Sequence, residues 1–113
     1  MIRVIIESPL RSTSAGDYQR NKNYAVSCMR DCISRGEAPF ASHLLYTTKG
    51  LLNDLKHDER TLGISMGFLW GECASKVVVY TDLGISEGMK LGIKYYNKLG
   101  IPIEYRKLAE VKE

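Results

Sequence analysis

No apolar run in this 113-residue chain approaches the roughly 20 residues that a membrane-crossing helix needs, so no membrane partner is expected. Neither charge sign dominates: 16 Lys and Arg stand against 13 Asp and Glu, a net charge of +3, with the signs interspersed. That balance is too mild for a groove holding polymeric nucleic acid, although a local cluster still suits a phosphate. Cysteine is scarce and odd in number, three in all, in a chain long enough to fold without staples. The expectation is a reducing, cytoplasmic setting with free thiols. Cys28 and Cys32 lie one helical turn apart, but Cys73 is remote and neither His43 nor His57 stands at metal-motif spacing to them. No metal site and no cofactor are therefore expected. Internal repeats, low-complexity stretches and linkers are also missing, so residues 1–113 read as one domain. The chain begins with an apolar run and no small-residue cleavage site, which suggests a strand and not a signal peptide.

What is present is an alternation of short apolar runs and helical periodicities. Arg3 to Glu7 predicts a buried strand with three consecutive β-branched residues. A turn-rich stretch follows, and Asp17 is placed to cap a helix beginning near Tyr18, with Ala25, Cys28, Met29 and Cys32 on its apolar face and Gly36 at its end. Pro39 to Ser42 reads as a brief second strand, and 44–55 as a loop with some helix. A second clear helix is expected from about Asp58, burying Leu62, Met66, Leu69 and Cys73. Lys76 to Tyr80 is the third strand, Glu87 to Leu99 the third clear helix, and Pro102 to Arg106 the fourth strand. The tail KLAEVKE is charged and is expected to fray or form a short helix.

Each parallel crossover needs a helix, so this order implies a parallel sheet of four or five strands with helices on both faces, an α/β three-layer sandwich. With right-handed crossovers the expected strand order is 2-1-3-4. Ligands in such sheets bind outside the carboxyl ends of the strands, where the chain switches direction. Here that crevice lies between strands one and three, where Glu7 to Arg11 meets Thr81 to Glu87, with the loop around His43 alongside.

The stretch YTDLGISEGMKLGI, Tyr80 to Ile93, places a carboxylate at the mouth of a helix. One reading is structural: Ser86 caps the helix and Glu87 at its first position complements the dipole. A capping box would need its acid at Met89, so Glu87 is not explained that way. The other reading is chemical. An ionised carboxylate aimed into the crevice attacks an electrophilic sugar carbon and holds it as an ester. Gly84 is simplest as a turn glycine, and Asp82 as a loop acid bonding nearby backbone, with substrate contact as the alternative. Ser8, Arg11, Ser12 and Thr13 form an ordinary polar loop that also suits a phosphate or a sugar hydroxyl. His43 is either structurally satisfied or a proton carrier. Gly63, Gly67 and Gly71 recur every fourth residue and each costs about 0.8–1.0 kcal/mol of helix stability relative to Ala. Close contact with another backbone accounts for them, within the domain or across a dimer interface.

VIIESPLR, GEAPFASHLLYT and GISEGM, taken together, resemble the nucleoside 2-deoxyribosyltransferase-like superfamily, in particular its small branch found in bacteria and phages. The resemblance runs from Arg3 to Tyr105. It implies a flavodoxin-like or Rossmann-like domain that cleaves or exchanges the N-glycosidic bond of nucleosides or nucleoside 5'-monophosphates. The position of the superfamily's catalytic glutamate matches Glu87, with Asp82 or His43 as candidate proton donors. Sugar or phosphate binding falls to Ser8, Pro9, Arg11, Ser12, Gly84, Ile85 and Ser86. Members are typically dimers or larger, which suits the glycine stripe.

Two departures stand out. Relatives carry an aromatic in the first strand, which here reads Val4-Ile5-Ile6-Glu7, and an aspartate on the second helix, where Met66 and Gly67 stand. Glu7 adds a second acid to the crevice, and two acids there would perturb each other's ionisation. The expected function is a homo-oligomeric N-glycosidase or ribosyltransferase-like protein. The alternatives are a non-catalytic nucleotide-binding module that senses or sequesters a nucleotide-derived signal, and an assembly protein with a vestigial crevice.

Overall fold

A computed structural model describes residues 1–12 and 14–108. Thr13 and most of the charged tail, residues 109–113, lie outside the described residues. Strand β1 (Arg3–Glu7) is followed by helix α1 (Ala15–Ser34), strand β2 (Ala38–Phe40), a one-turn helix α2 (Ser42–Leu45) and helix α3 (His57–Gly71). Strand β3 (Lys76–Tyr80), helix α4 (Glu87–Lys98) and strand β4 (Ile103–Arg106) complete the order. The four strands are parallel and lie in the order β2-β1-β3-β4, the expected Rossmann-like arrangement.

The two central strands are apolar because both of their faces are covered. Val4, Ile6, Val78 and Tyr80 point to one side, where Cys28 and Cys32 of α1 meet them. Ile5, Val77 and Val79 point to the other, against Met89 and Tyr96 of α4 and Phe68 of α3. Strand alternation continues this pairing to the end of β1, so Glu7, opposite Val79 in the register, faces the α3 and α4 layer. At the far sheet edge Arg106, buried on the α1 face, forms two hydrogen bonds to Glu37, at 2.9 and 2.6 Å, and a third to Tyr80. Lys76 and Glu104 extend this network, so its charges are paired, as burial requires.

Several boundaries differ from the sequence-based expectation. Helix α1 starts at Ala15, ahead of Tyr18, because the Ser14 hydroxyl is its cap and accepts from the Asp17 N–H. Asp17 sits inside the first turn. Strand β2 is shorter and earlier than Pro39 to Ser42, and Ser42 instead opens α2. Pro39 is tolerated there because β2 is an edge strand with β1 as its one neighbour.

The buried face of α3 is corrected outright. Leu62 and Leu69 are 51% and 66% exposed, Met66 is half-buried, and Cys73 lies exposed beyond the helix. The inward face carries Gly63, Ile64, Gly67, Phe68 and Gly71. A Cβ on Gly67 would overlap the Ser42 side chain, and one on Gly71 would overlap the Tyr96 ring. The glycine stripe is therefore used inside the chain to bring α3 down onto α2 and α4, the first of the two close contacts expected for it. Hydrophobicity ranked the leucines above the glycines, whereas close approach of the neighbouring elements decided the orientation.

Gly71→Ala should lower stability by about 1–3 kcal/mol through overpacking against Tyr96, although alanine is the better helix former. Urea denaturation of the two proteins measures the difference.

Candidate active site at the carboxyl ends of β1 and β3

A cavity of about 250 Å³ opens at the carboxyl ends of the strands, where the order switches between β1 and β3. Its floor is Glu7 and Ser8 from β1 and the loop after it, together with Met89 and Tyr96 of α4. Ser42, His43, Tyr46 and Thr47 line it from α2 and the residues after it, and Arg60, Gly63, Ile64 and Phe68 line it from α3, which packs against them. Arg11, Ser86, Glu87 and Gly88 complete the lining. The loop after β1 is held in place by Asn21 of α1, whose side-chain amide donates to the Leu10 carbonyl at 3.0 Å.

Ser8 is buried and shares a 2.8 Å hydrogen bond with His43 Nε2. Desolvation pushes the His43 imidazole down to about 4, so the ring is neutral at pH 7 and acts there as a hydrogen-bonding group. The Glu7 carboxyl is pushed the opposite way for the same reason: burial raises it to about 8. Among the described residues no hydrogen bond or ion pair offsets that burial.

Of the residues expected from sequence, the structure brings Ser8, Arg11, His43, Ser86 and Glu87 to this cavity. Ser86 is the cap of α4, accepting from Met89 N–H at 3.3 Å while its own N–H points to the Met89 sulfur. The thioether thus takes the place of the acid in a capping box. Glu87 stands at the rim with its side chain 90% exposed and a 3.1 Å ion pair to Lys90. The expected inward aim of its carboxylate is not the conformation found.

The other expected residues lie elsewhere. Asp82 accepts from the Tyr24 hydroxyl at 2.6 Å and from the Leu108 N–H at 2.9 Å, tying the loop after β3 to α1 and the chain after β4. Gly84 forms the turn, with a φ of +87°, and it and Ile85 are exposed outside the cavity. Pro9 is buried behind the lining. Ser12 borders a neighbouring depression that shares Thr47 and Asp54 with the main cavity.

Sequence reasoning missed Arg60 and Tyr46, whereas Glu7 was expected in the crevice and lies there. The signal for Glu7 was available: it is the one charged residue among the last four of an otherwise apolar strand, on the α4 side by alternation. Arg60 carried no such signal, because its approach to the cavity follows from the burial of the glycine face. Among the described residues no cluster of three or more His, Cys, Asp or Glu side chains is arranged to hold a metal ion, and no helix is long and apolar enough to cross a membrane.

Residues 2–106 match the model of a domain of unknown function, DUF7768, and the chain belongs to that family. The fold is also that of a solved 2-deoxyribosyltransferase from the psychrotolerant bacterium Bacillus psychrosaccharolyticus. The two align with a TM-score of 0.60 at 14% identity, over 98% of this chain and 77% of that one. That likeness establishes a shared α/β fold. No curated protein matches the sequence.

The two shifted groups give opposite pH dependences. His43 holds fewer protons folded than unfolded between about 4 and its ordinary 6.5, so stability should rise with pH across that window. Glu7 holds more protons folded than unfolded between its ordinary 4.5 and about 8, so its contribution should be lost as pH rises through that window. The two slopes oppose each other where the windows overlap, between 4.5 and 6.5. Denaturation midpoints measured from pH 4 to 9 should therefore hold level there, after a short acid limb below 4.5, and then show a falling alkaline limb up to about 8. Glu7→Gln should flatten the alkaline one.

Proposed function

We propose that the protein processes N-glycosides, acting on nucleosides or nucleoside 5'-monophosphates as a member of the nucleoside 2-deoxyribosyltransferase-like superfamily. The observation that supports this reading is a cavity at the strand switch point with four acidic residues on its lining, among them Glu7 on the floor and Glu87 at the rim, beside Asp54 and Glu59. A glycosyl site needs two such groups, one to attack or stabilise the sugar carbon and one to manage the proton of the leaving group. The shared architecture with a 2-deoxyribosyltransferase supports the same class of ligand.

In the proposed reaction Glu87 leaves its exposed pairing with Lys90, which holds it weakly, and swings over the rim. Its carboxylate attacks the anomeric carbon, and the base departs. Water or a second base then resolves the glycosyl ester. Ser8 and the neutral His43 hold sugar hydroxyls, and Arg11 and Ser86 take a phosphate when one is present. Asp82 serves this scheme from behind, by fixing the loop that leads into α4. Assembly into a homodimer or higher oligomer is part of the proposal.

The conformation of Glu87 favours one second reading, a non-catalytic module that binds a nucleotide-derived signal. Base release from purine and pyrimidine nucleoside monophosphates, followed by chromatography, separates the two. Glu87→Gln should reduce turnover by about 10⁴-fold, as removal of a covalent nucleophile does. Tight binding by calorimetry with no free base after long incubation would establish the module instead.

A further inference from the structure

The described structure contains an acid whose surroundings have no structural use for it. Glu7 closes β1 and faces the α3 and α4 layer. Its carboxyl lies directly on the backbone of α4 at Gly92, where a Cβ would overlap it. A carboxyl group placed against apolar Met89 and Phe68 costs stability unless something compensates. The charged neighbours on the same cavity other than Arg11 are engaged elsewhere. From α3 and the loop before it, Arg60 leans toward Asp54 at 3.8 Å and Glu59 toward Lys56 at 3.9 Å. From α4, Glu87 pairs with Lys90, and the Tyr96 hydroxyl donates to the Gly67 carbonyl. From α2, His43 bonds Ser8. Arg11, from the loop after β1, forms no ion pair with Glu7 among those described. A carboxyl group in this setting keeps its proton at neutral pH, while still bordering a space open to a ligand.

We propose that Glu7 is the proton donor to the departing base, a catalytic role distinct from that of Glu87. This role rests on the N-glycoside reading of the site. As the Glu87 carboxylate forms its bond to the anomeric carbon, the carbon–nitrogen bond breaks and its electron pair goes to the base. The Glu7 carboxyl proton moves to a ring nitrogen, so the base leaves neutral and Glu7 becomes a carboxylate. In the second half Glu7 removes a proton from the water that attacks the anomeric carbon, the glycosyl ester opens, and both acids return to their starting states. His43, neutral at pH 7, has no proton to spare in this way, and Asp82 lies outside the cavity.

The substrate class that depends on this residue is the purine nucleoside or nucleotide whose base is a poor leaving group until protonated. An N7-methylated guanine already carries that positive charge and leaves without a donor. The test compares guanosine and 2'-deoxyguanosine 5'-monophosphates with their N7-methyl counterparts, using wild type, Glu7→Gln and Glu87→Gln. Glu7→Gln should lose about 10²–10⁴-fold on the unmethylated substrates and stay within a few-fold of wild type on the methylated ones. Its rate should also lose the decline that wild type shows on the unmethylated substrates above pH 8. Glu87→Gln should fail on both. Gly92→Ala, which crowds the Glu7 carboxyl, should reproduce the Glu7→Gln pattern in a protein that retains the acid.

An active wild type in which Glu7→Gln is impaired equally on both substrate types, or on neither, would overturn the donor role and leave the N-glycoside reading standing. A wild type that releases base from none of the substrates would overturn that reading, and the donor role with it.

Discussion

The pairing of β1 with β3 at the centre of the sheet is the constraint on which the rest of the molecule depends. Four residues of each strand are in register, Val4 with Lys76 through Glu7 with Val79. Because the interior positions of both strands are buried on both faces, helices must cover both sides. The crossover through α1 lies on one face, and α3 and α4 lie on the other. Where these two strands end, the chain leaves in opposite directions, and among the described residues a cavity stands between the loops. The cavity follows from the topology of the sheet and not from any single side chain.

What the cavity contains is set by close approach. Gly67 and Gly71 let α3 descend onto Ser42 and Tyr96, and Gly92 lets α4 lie against the Glu7 carboxyl. Each of these positions would be better served by alanine if helix propensity were the only consideration. The cost in propensity accompanies a close packing of the helices beside Glu7 and His43. Desolvation then moves one group up and the other down. Two residues of ordinary chemistry thereby become a protonated acid and a neutral imidazole at pH 7.

A second polar feature has a different character. Arg106, Glu37, Glu104 and Lys76 form a network in which each charge has an opposite partner, and the paired Glu104 carboxyl is held down to about 2. The network joins the last strand to the start of β2 and fixes the far edge of the sheet. Among the described residues Glu7 has no such partner. The contrast between a fully paired cluster at the edge and an unpaired acid at the switch point separates structural from chemical use of charge in this molecule.

The order of elements, their parallel arrangement and the location of the crevice were legible in the sequence, because runs such as Val77-Val78-Val79 and the helical spacing of Ala25, Cys28 and Cys32 report local periodicity directly. Ser8, His43 and Ser86 were legible as crevice residues for the same reason, being placed by the loops at strand ends. The orientation of α3 was not, since leucines at 62 and 69 outweigh glycines in any hydrophobic count. Nor was the outward turn of Glu87, which pairs with Lys90 one helical turn away, or the approach of Arg60 to the crevice. Periodicity is a property of neighbours in the chain, so the sequence alone determined the fold. Burial of a charge and the approach of two backbones are properties of neighbours in space, and only the tertiary structure decided them.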